Sequence, residues 1–318
     1  MLRSLLIHLS KANWAHALVT RWGFAWRAAS RFIAGTTLED ALGVVAGLNS
    51  RGINATLDHL GEHTTTDEEA LAATDAICRI LDALESSGTC ANVSIKLTQI
   101  GLGLHEDLCA RNLDRIVARA RARENFIRID IEDTPYTDQT FRLQAQMRAK
   151  GLSNCGLALQ AYLYRSESDA RALLKERIPI RLVKGAYQEP PELAYPKKRD
   201  VDANFDRLAR MLLDASLASG SRLSDDCRVP PTAAIATHDE RRIATCREYA
   251  EQIGLPKNGL EFQLLYGIRR DLQKQLSQLG YPVRIYVPFG EHWYPYYMRR
   301  LAERPANIWF FVSNFFRK

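Results

Sequence analysis

The chain has 318 residues, 46% hydrophobic and 25% charged, the balance of an ordinary globular protein with room for one large core. Forty-three Lys and Arg against 37 Asp and Glu give a net charge of +6, too diffuse for nucleic-acid binding but compatible with attraction to an anionic membrane surface. No apolar run reaches transmembrane length, and Cys78, Cys90, Cys109, Cys155, Cys227 and Cys246 fall in no metal-ligand spacing, which argues against a zinc site and for reduced thiols.

Residues 1–53 read as an N-terminal segment of two or three helices. MLRSLLIHLSKANW begins like a secretory signal, but its apolar run is short and broken by His8 and Lys11, and no small-residue cleavage site follows. A cytoplasmic chain is the expectation. From there β-rich runs alternate with helical stretches: ATLDHLG from Ala55, NVSIKLTQ from Asn92, FIRIDIE from Phe126, GLALQAYL from Gly156, PIRLVKG from Pro179, AAIATHD from Ala233, EFQLLYG from Glu261 and VRIYVPFG from Val283. Eight strands with helices between them predict an α/β fold, a (β/α)8 barrel over residues 54–318. Thr36-x-x-Glu39, Thr66-x-x-Glu69 and Ser166-x-x-Asp169 read as capping boxes, and Gly88, Gly220 and Gly254 as helix stops. The basic stretch RIVARARARENF reads as a solvated helix face. The Pro-rich loop at 188–200 follows the fifth strand and falls on the face where such barrels place their chemistry.

Strand parity sorts the polar residues. Val93, Ile95 and Leu97 oppose Ser94 and Lys96; Ile127, Ile129 and Ile131 oppose Arg128, Asp130 and Glu132; Ile180 and Leu182 oppose Arg181 and Val183; Val283, Ile285 and Val287 oppose Arg284 and Tyr286. If the β-branched face packs on the helices, Lys96, Asp130, Arg181 and Tyr286 enter the barrel, joined by Gln160, Thr237 and His238 at the strand ends. The plainer alternative is a set of satisfied interior ion pairs, Lys96 with Asp130 or Arg128 with Glu132.

The segment YVPFGEHWYPYYMRRLAERPAN at 286–307 predicts a helix from about Trp293 to Glu303. Trp293, Tyr296, Arg299, Arg300 and Glu303 then share one face. Two adjacent guanidiniums on a packed face call for an anion, and a carboxylate suits their forked geometry. An exposed face of intrahelical ion pairs is the alternative. No Gly-x-Gly-x-x-Gly follows a strand and no Walker-type loop occurs, so a Rossmann-bound nicotinamide is unsupported.

RIYVPFGEHWYPYYMRRLAERPAN resembles the C-terminal signature of proline dehydrogenases. RLVKGAY at 181–187, SIKLTQIG at 94–101, RIDIED at 128–133 and ATHD at 236–239 resemble four further motifs of that family, in family order. The likeness runs from about Ala34 to Asn307 and is greatest to the short, single-activity bacterial branch. It implies a distorted (β/α)8 barrel with FAD at the strand C-termini and a last helix over the flavin. The implied reaction oxidises L-proline to Δ1-pyrroline-5-carboxylate and passes electrons to a membrane quinone. The implied substrate site is Arg299 and Arg300 on the carboxylate, Lys96 nearby, Tyr286, Tyr296 and Leu265 around the ring, and Asp130 orienting the cations. Arg181 would lie beside the reactive flavin nitrogen, with Gln160, Val183, Lys184, Gly185, Thr237, His238 and Glu303 also on the cofactor. Glu62 resembles a gating carboxylate that pairs with Arg299 in the empty site. Bifunctional members carry Trp directly after KGAY, stacked on adenine; here Gln188 stands, so the chain departs from that pattern at the adenine contact. A separate pyrroline-5-carboxylate dehydrogenase is expected to take the product. Folate reductases of related barrel type and hydroxyproline oxidation are the rival readings. The aromatic tail NIWFFVSNFFRK reads either as a helix packed on the barrel or as a peripheral contact with the inner face of the membrane.

Overall fold

The computed structural model describes residue 26 and residues 29–187 and 189–303. Helix α1 (Leu38–Asn49) precedes eight strand–helix units: β1 (Asn54–His59) and α2 (Asp67–Ser86), β2 (Ala91–Ile95) and α3 (Glu106–Ala122), β3 (Ile127–Ile129) and α4 (Thr137–Ala149), β4 (Cys155–Gln160) and α5 (Ser166–Lys175). The second half follows with β5 (Ile180–Val183) and α6 (Lys198–Ser219), β6 (Ala233–Ala236) and α7 (Glu240–Gln252), β7 (Leu260–Leu265) and α8 (Arg270–Gln278), β8 (Val283–Phe289) and α9 (Trp293–Glu303). The strands form a closed barrel in sequence order, and β8 returns parallel to β1 with Tyr286 opposite Thr56. The (β/α)8 expectation therefore holds. Of the helices expected within 1–53, α1 is described; the stretches 1–25 and 27–28 lie outside the described residues, as do Gln188 and the tail from 304 onward.

Parity holds as well. Leu57, Val93, Ile95, Ile127, Ile129, Leu182, Ile285 and Val287 are all buried in the continuous core between strands and helices. The inward residues are polar to an unusual degree for a barrel interior, which branched apolar side chains ordinarily fill. At the N-terminal end Arg284 and Glu261, both fully buried, pair at 2.9 Å. Arg128 donates to the carbonyls of Pro179 at 2.6 Å and Leu157 at 3.0 Å. Gly156 makes room for it: a Cβ there would lie 2.9 Å from the Arg128 guanidinium and 2.3 Å from the Pro179 oxygen.

Several local expectations shift. The second strand ends at Ile95, and Leu97–Ile100 forms a 3₁₀ turn instead of continuing it. The first capping box is Thr37 with Asp40, one residue later than Thr36 and Glu39, and both of its reciprocal hydrogen bonds form. Glu69 reaches back to Thr65 N–H at 2.7 Å while Thr66 caps Glu69 N–H. Ser166 is no cap: its hydroxyl is taken by the carbonyl of Gln160 at the mouth. The Pro-rich loop is cut short at Lys197 by α6 and pairs back through Leu163 and Ala194.

Glu261→Ala should destabilise the fold by about 3–5 kcal/mol, because it strands Arg284 without a counter-charge in the interior. Urea unfolding at neutral pH measures this; a loss under about 1 kcal/mol, that of an exposed pair, contradicts it.

Candidate active site

Five strands deliver one column of charge to the C-terminal mouth. Lys96, just past β2, lies 3.0 and 3.1 Å from the two carboxylate oxygens of Asp58 on β1. It also donates to the Tyr286 hydroxyl at 3.3 Å, and that hydroxyl donates to Asp130 at 2.9 Å. The second oxygen of Asp130 accepts from Arg181 at 2.7 Å, and Arg181 donates further to Ser94 at 2.9 Å and to Gln263 at 2.6 Å. Gln263 in turn donates to Glu261 at 2.6 Å, so the column runs unbroken to the barrel floor.

This environment fixes protonation. Burial works against the Lys96 charge, but Asp58, Asp130 and Glu62 outweigh it and hold the ammonium well above its ordinary range. Burial and the charges of Asp130 and Asp58 push the Tyr286 phenol far up, so it stays a neutral donor. Lys96 and Arg181 balance Asp58 and Asp130, two charges against two.

The rim is built by α9 and the loop after β1. Trp293 is drawn into an apolar cluster, edge-on to Trp26 with ring centroids 5.5 Å apart and near Tyr297 at 6.0 Å. It therefore leaves the polar face to Tyr296, Arg299 and Arg300. Arg299 grips Glu62 with two parallel bonds of 2.8 and 2.6 Å. Burial raises the Glu62 carboxyl, yet the charges of Arg299 and Lys96 more than reverse this and leave it below the ordinary range. The Arg300 guanidinium stands 5.1 Å over the Tyr296 ring. Leu265 is half-buried, and its N–H donates to His238 Nε2 at 3.0 Å, which ties the ends of β6 and β7 together.

Other expected residues fall at the β4–β6 ends. The Gln160 amide donates to the Glu132 carbonyl at 3.0 Å, and its oxygen accepts Ala186 N–H at 3.2 Å. Val183 is half-buried beside it. Gly185 has φ +132° and a Cβ there would meet the Tyr162 ring at 2.4 Å, so this turn admits only glycine. The Thr237 hydroxyl accepts Asp239 N–H at 3.2 Å. Lys184 is engaged by Asp202 at 2.5 Å and Asp239 at 2.6 Å. The side chain of Glu303 lies outside the described residues.

Of the two interior pairings read from sequence, one forms: Lys96 is 3.9 Å from Asp130, although Asp58 is its nearer partner at 3.0 Å. Arg128 and Glu132 do not pair: β3 ends at Ile129, before Glu132, and Arg128 is taken by the carbonyls of Leu157 and Pro179. Glu132 instead accepts both the N–H and the hydroxyl of Thr98, at 3.0 and 2.5 Å. Asp58 was missed although Leu57 and Asp58 alternate in ATLDHLG; parity carried through the first strand finds it. Tyr187, the aromatic of KGAY, was missed too. Burial and the nearby Glu62 and Glu132 carboxylates raise its phenol well above the ordinary range.

Among the described residues no group of three or more His, Cys, Asp or Glu side chains is placed to hold a metal. A surface hollow of about 710 Å³ between α2 and α3 is lined by Asp75, Asp82, Arg115 and Arg119, whose charges are satisfied by one another.

Fold and site thus define a (β/α)8-barrel enzyme with a charge-lined mouth under its last helix. The family profile described as proline dehydrogenase matches residues 41–312, and the chain belongs to the proline dehydrogenase family, in its short bacterial form. It is 40% identical to the proline dehydrogenase of Deinococcus radiodurans over 292 residues, 91% of this chain and 90% of that one. It is 36% identical to proline dehydrogenase 1 of Bacillus subtilis over 322 residues, spanning all of both chains. The barrel superposes with a TM-score of 0.79 on the crystal structure of proline utilization A from Bdellovibrio bacteriovorus inactivated by N-propargylglycine. That match, at 26% identity, covers 91% of this chain and 33% of that longer one.

Glu132 gives a pH test. Burial pushes its carboxyl up from 4.5 to about 7 despite the Thr98 hydrogen bonds. Between these values the folded chain holds a proton that the unfolded chain has released. Its contribution to stability is therefore present below pH 4.5 and lost as pH rises through about 7. Wild type should lose urea stability relative to Glu132→Gln between pH 5 and 8; a difference flat in pH contradicts the raised carboxyl.

Proposed function

We propose that this chain oxidises L-proline to Δ1-pyrroline-5-carboxylate with FAD as its cofactor and passes the electrons to a membrane quinone. The observation that carries the reading is the two-pronged grip of Arg299 on a carboxylate, with Arg300 beside it on α9 and Lys96 below. A bidentate guanidinium–carboxylate pair is selective for a planar anion. Glu62 fills that role from within the chain, and a proline carboxylate of the same shape and charge replaces it.

The donor set suits a flavin. Arg181, 4% exposed, fixes a cation on the floor of the mouth, and Gln160, Thr237 and Val183 offer a polar edge and an apolar flank beside it. When bound, the flavin supplies the two-electron acceptor for the hydride leaving the ring carbon next to nitrogen. Arg181 supplies positive charge where negative charge then develops. Arg299 and Arg300 position the substrate without giving up protons, because guanidinium stays charged. Tyr296 and Leu265 form apolar walls for the ring. Asp130 keeps Arg181 and Tyr286 in place, and Tyr286 presents a neutral hydroxyl beside Lys96.

Among the described residues no helix is long and apolar enough to cross a membrane. Quinone reduction would then proceed through a peripheral contact on the inner face of the cell membrane, with the rest of the chain in the cytoplasm. The product would pass to a separate pyrroline-5-carboxylate dehydrogenase, in keeping with the end-to-end match to a short relative named for proline dehydrogenation alone.

The visible spectrum of the purified protein, followed by L-proline without oxygen, tests both cofactor and substrate. A flavin spectrum that bleaches is expected, with half-saturation raised about a hundredfold or more by Arg299→Met, since truncating a buried charge partner costs about 2–5 kcal/mol. A flavin that ignores proline would point to another carboxylate. A colourless protein that FAD cannot reconstitute would overturn the cofactor.

A further inference from the structure

The 3₁₀ turn Leu97–Ile100 fastens the loop that carries Glu62. Thr98 is its hub. On one side its N–H and hydroxyl both donate to the buried Glu132 carboxylate, at 3.0 and 2.5 Å. On the other, the same hydroxyl accepts His63 N–H at 3.3 Å. The Thr98 carbonyl accepts the N–H and the hydroxyl of Thr64, at 3.3 and 3.0 Å. Gln99 adds a bond from its amide to the His59 carbonyl at 2.9 Å. Gly61 passes so close that a Cβ there would lie 2.8 Å from the Gln99 amide nitrogen.

The loop these bonds hold is under strain. His63 adopts φ +53°, a left-handed conformation that few non-glycine residues keep without support from their surroundings. Glu62 sits between Gly61 and His63, so its place opposite Arg299 depends on the two residues that the turn grips. The Thr98 hydroxyl spends its one donor on Glu132 and an acceptor lone pair on His63, two roles that an alkyl side chain of the same shape cannot fill. Glu132 reaches the far wall too, because its carbonyl holds Gln160, which in turn holds Ala186.

We propose that the Glu132–Thr98 pair is a positioning device for the loop after β1 and sets how strongly Glu62 competes with the substrate carboxylate for Arg299. The proposal rests on the reading of Arg299 as the carboxylate anchor. A bidentate pair tolerates little displacement, so loosening the loop weakens the internal competitor before it touches the reacting groups. Thr98 and Glu132 then act through Glu62, and their effect must vanish when Glu62 is gone.

Steady-state kinetics with L-proline on the flavin-loaded enzyme tests this, with the inhibition constant of pyrrole-2-carboxylate, a cyclic carboxylate that cannot be oxidised in the same way, as a pure binding readout. Thr98→Val should lower KM and the inhibition constant together by about three- to tenfold, more than it changes kcat, as expected for coupling between groups in one network. Thr98→Ser, which keeps the hydroxyl, should restore wild-type values. In a Glu62→Ala background Thr98→Val should change neither constant further. An equal shift in both backgrounds, or no shift in either constant, overturns the proposal. If Thr98→Val does not fold, Thr98→Ala, which likewise removes the hydroxyl, decides in the same two backgrounds by the same criterion. Wild type that neither turns over proline nor binds the inhibitor would instead defeat the underlying reading of the substrate.

Discussion

Eight paired strands leave water only at the two ends of a barrel, so a charge in the interior must find its counter-charge there. Here one column meets that requirement for Asp58, Lys96, Tyr286, Asp130, Arg181, Gln263, Glu261 and Arg284, each bonded to the next, while Arg128 is held by main-chain carbonyls instead. Because each member is held by its neighbours, no side chain of the column can swing without leaving a buried polar group unpaired. The rigidity of the site follows from electrostatics as much as from packing.

The same rule explains the rim. A helix that lays Arg299 against a closed mouth must bring or find an anion, and Glu62 supplies it across a loop rather than along the helix. The pairing neutralises Arg299, and on the proposed reading this rim pair is exchanged for an incoming carboxylate while the column beneath stays in place. Interior ion pairs seldom add stability over well-packed apolar residues. Their presence on six strands or strand ends is better accounted for by the positions they enforce at the mouth.

Much of this was legible in the sequence, for definable reasons. The strands were found because their outward faces pack on helices and so are β-branched, and parity then placed Lys96, Asp130, Arg181 and Tyr286 inside. The paired arginines stood out because two adjacent guanidiniums on one packed face call for an anion. Other features were hidden by distance along the chain. Lys184 is held by Asp202 and Asp239, which no spacing links to it. The 3₁₀ turn at Leu97–Ile100 continues the alternation of a strand, and only its contacts with the neighbouring loop reveal it as a turn. Asp58 was open to the same parity argument as Lys96, and the alternation in the first strand was sufficient to find it.

The central claim is that the mouth is built around one exchangeable carboxylate. Isothermal titration of L-prolinamide against L-proline under anaerobic conditions tests it most directly, because the two differ only in the group that Arg299 would grip. L-Proline should bind and L-prolinamide should bind at least about a hundredfold more weakly, the loss of a charge-assisted bidentate contact. Equal binding of the two would mean that Arg299 and Glu62 form a structural pair and that the substrate is held elsewhere.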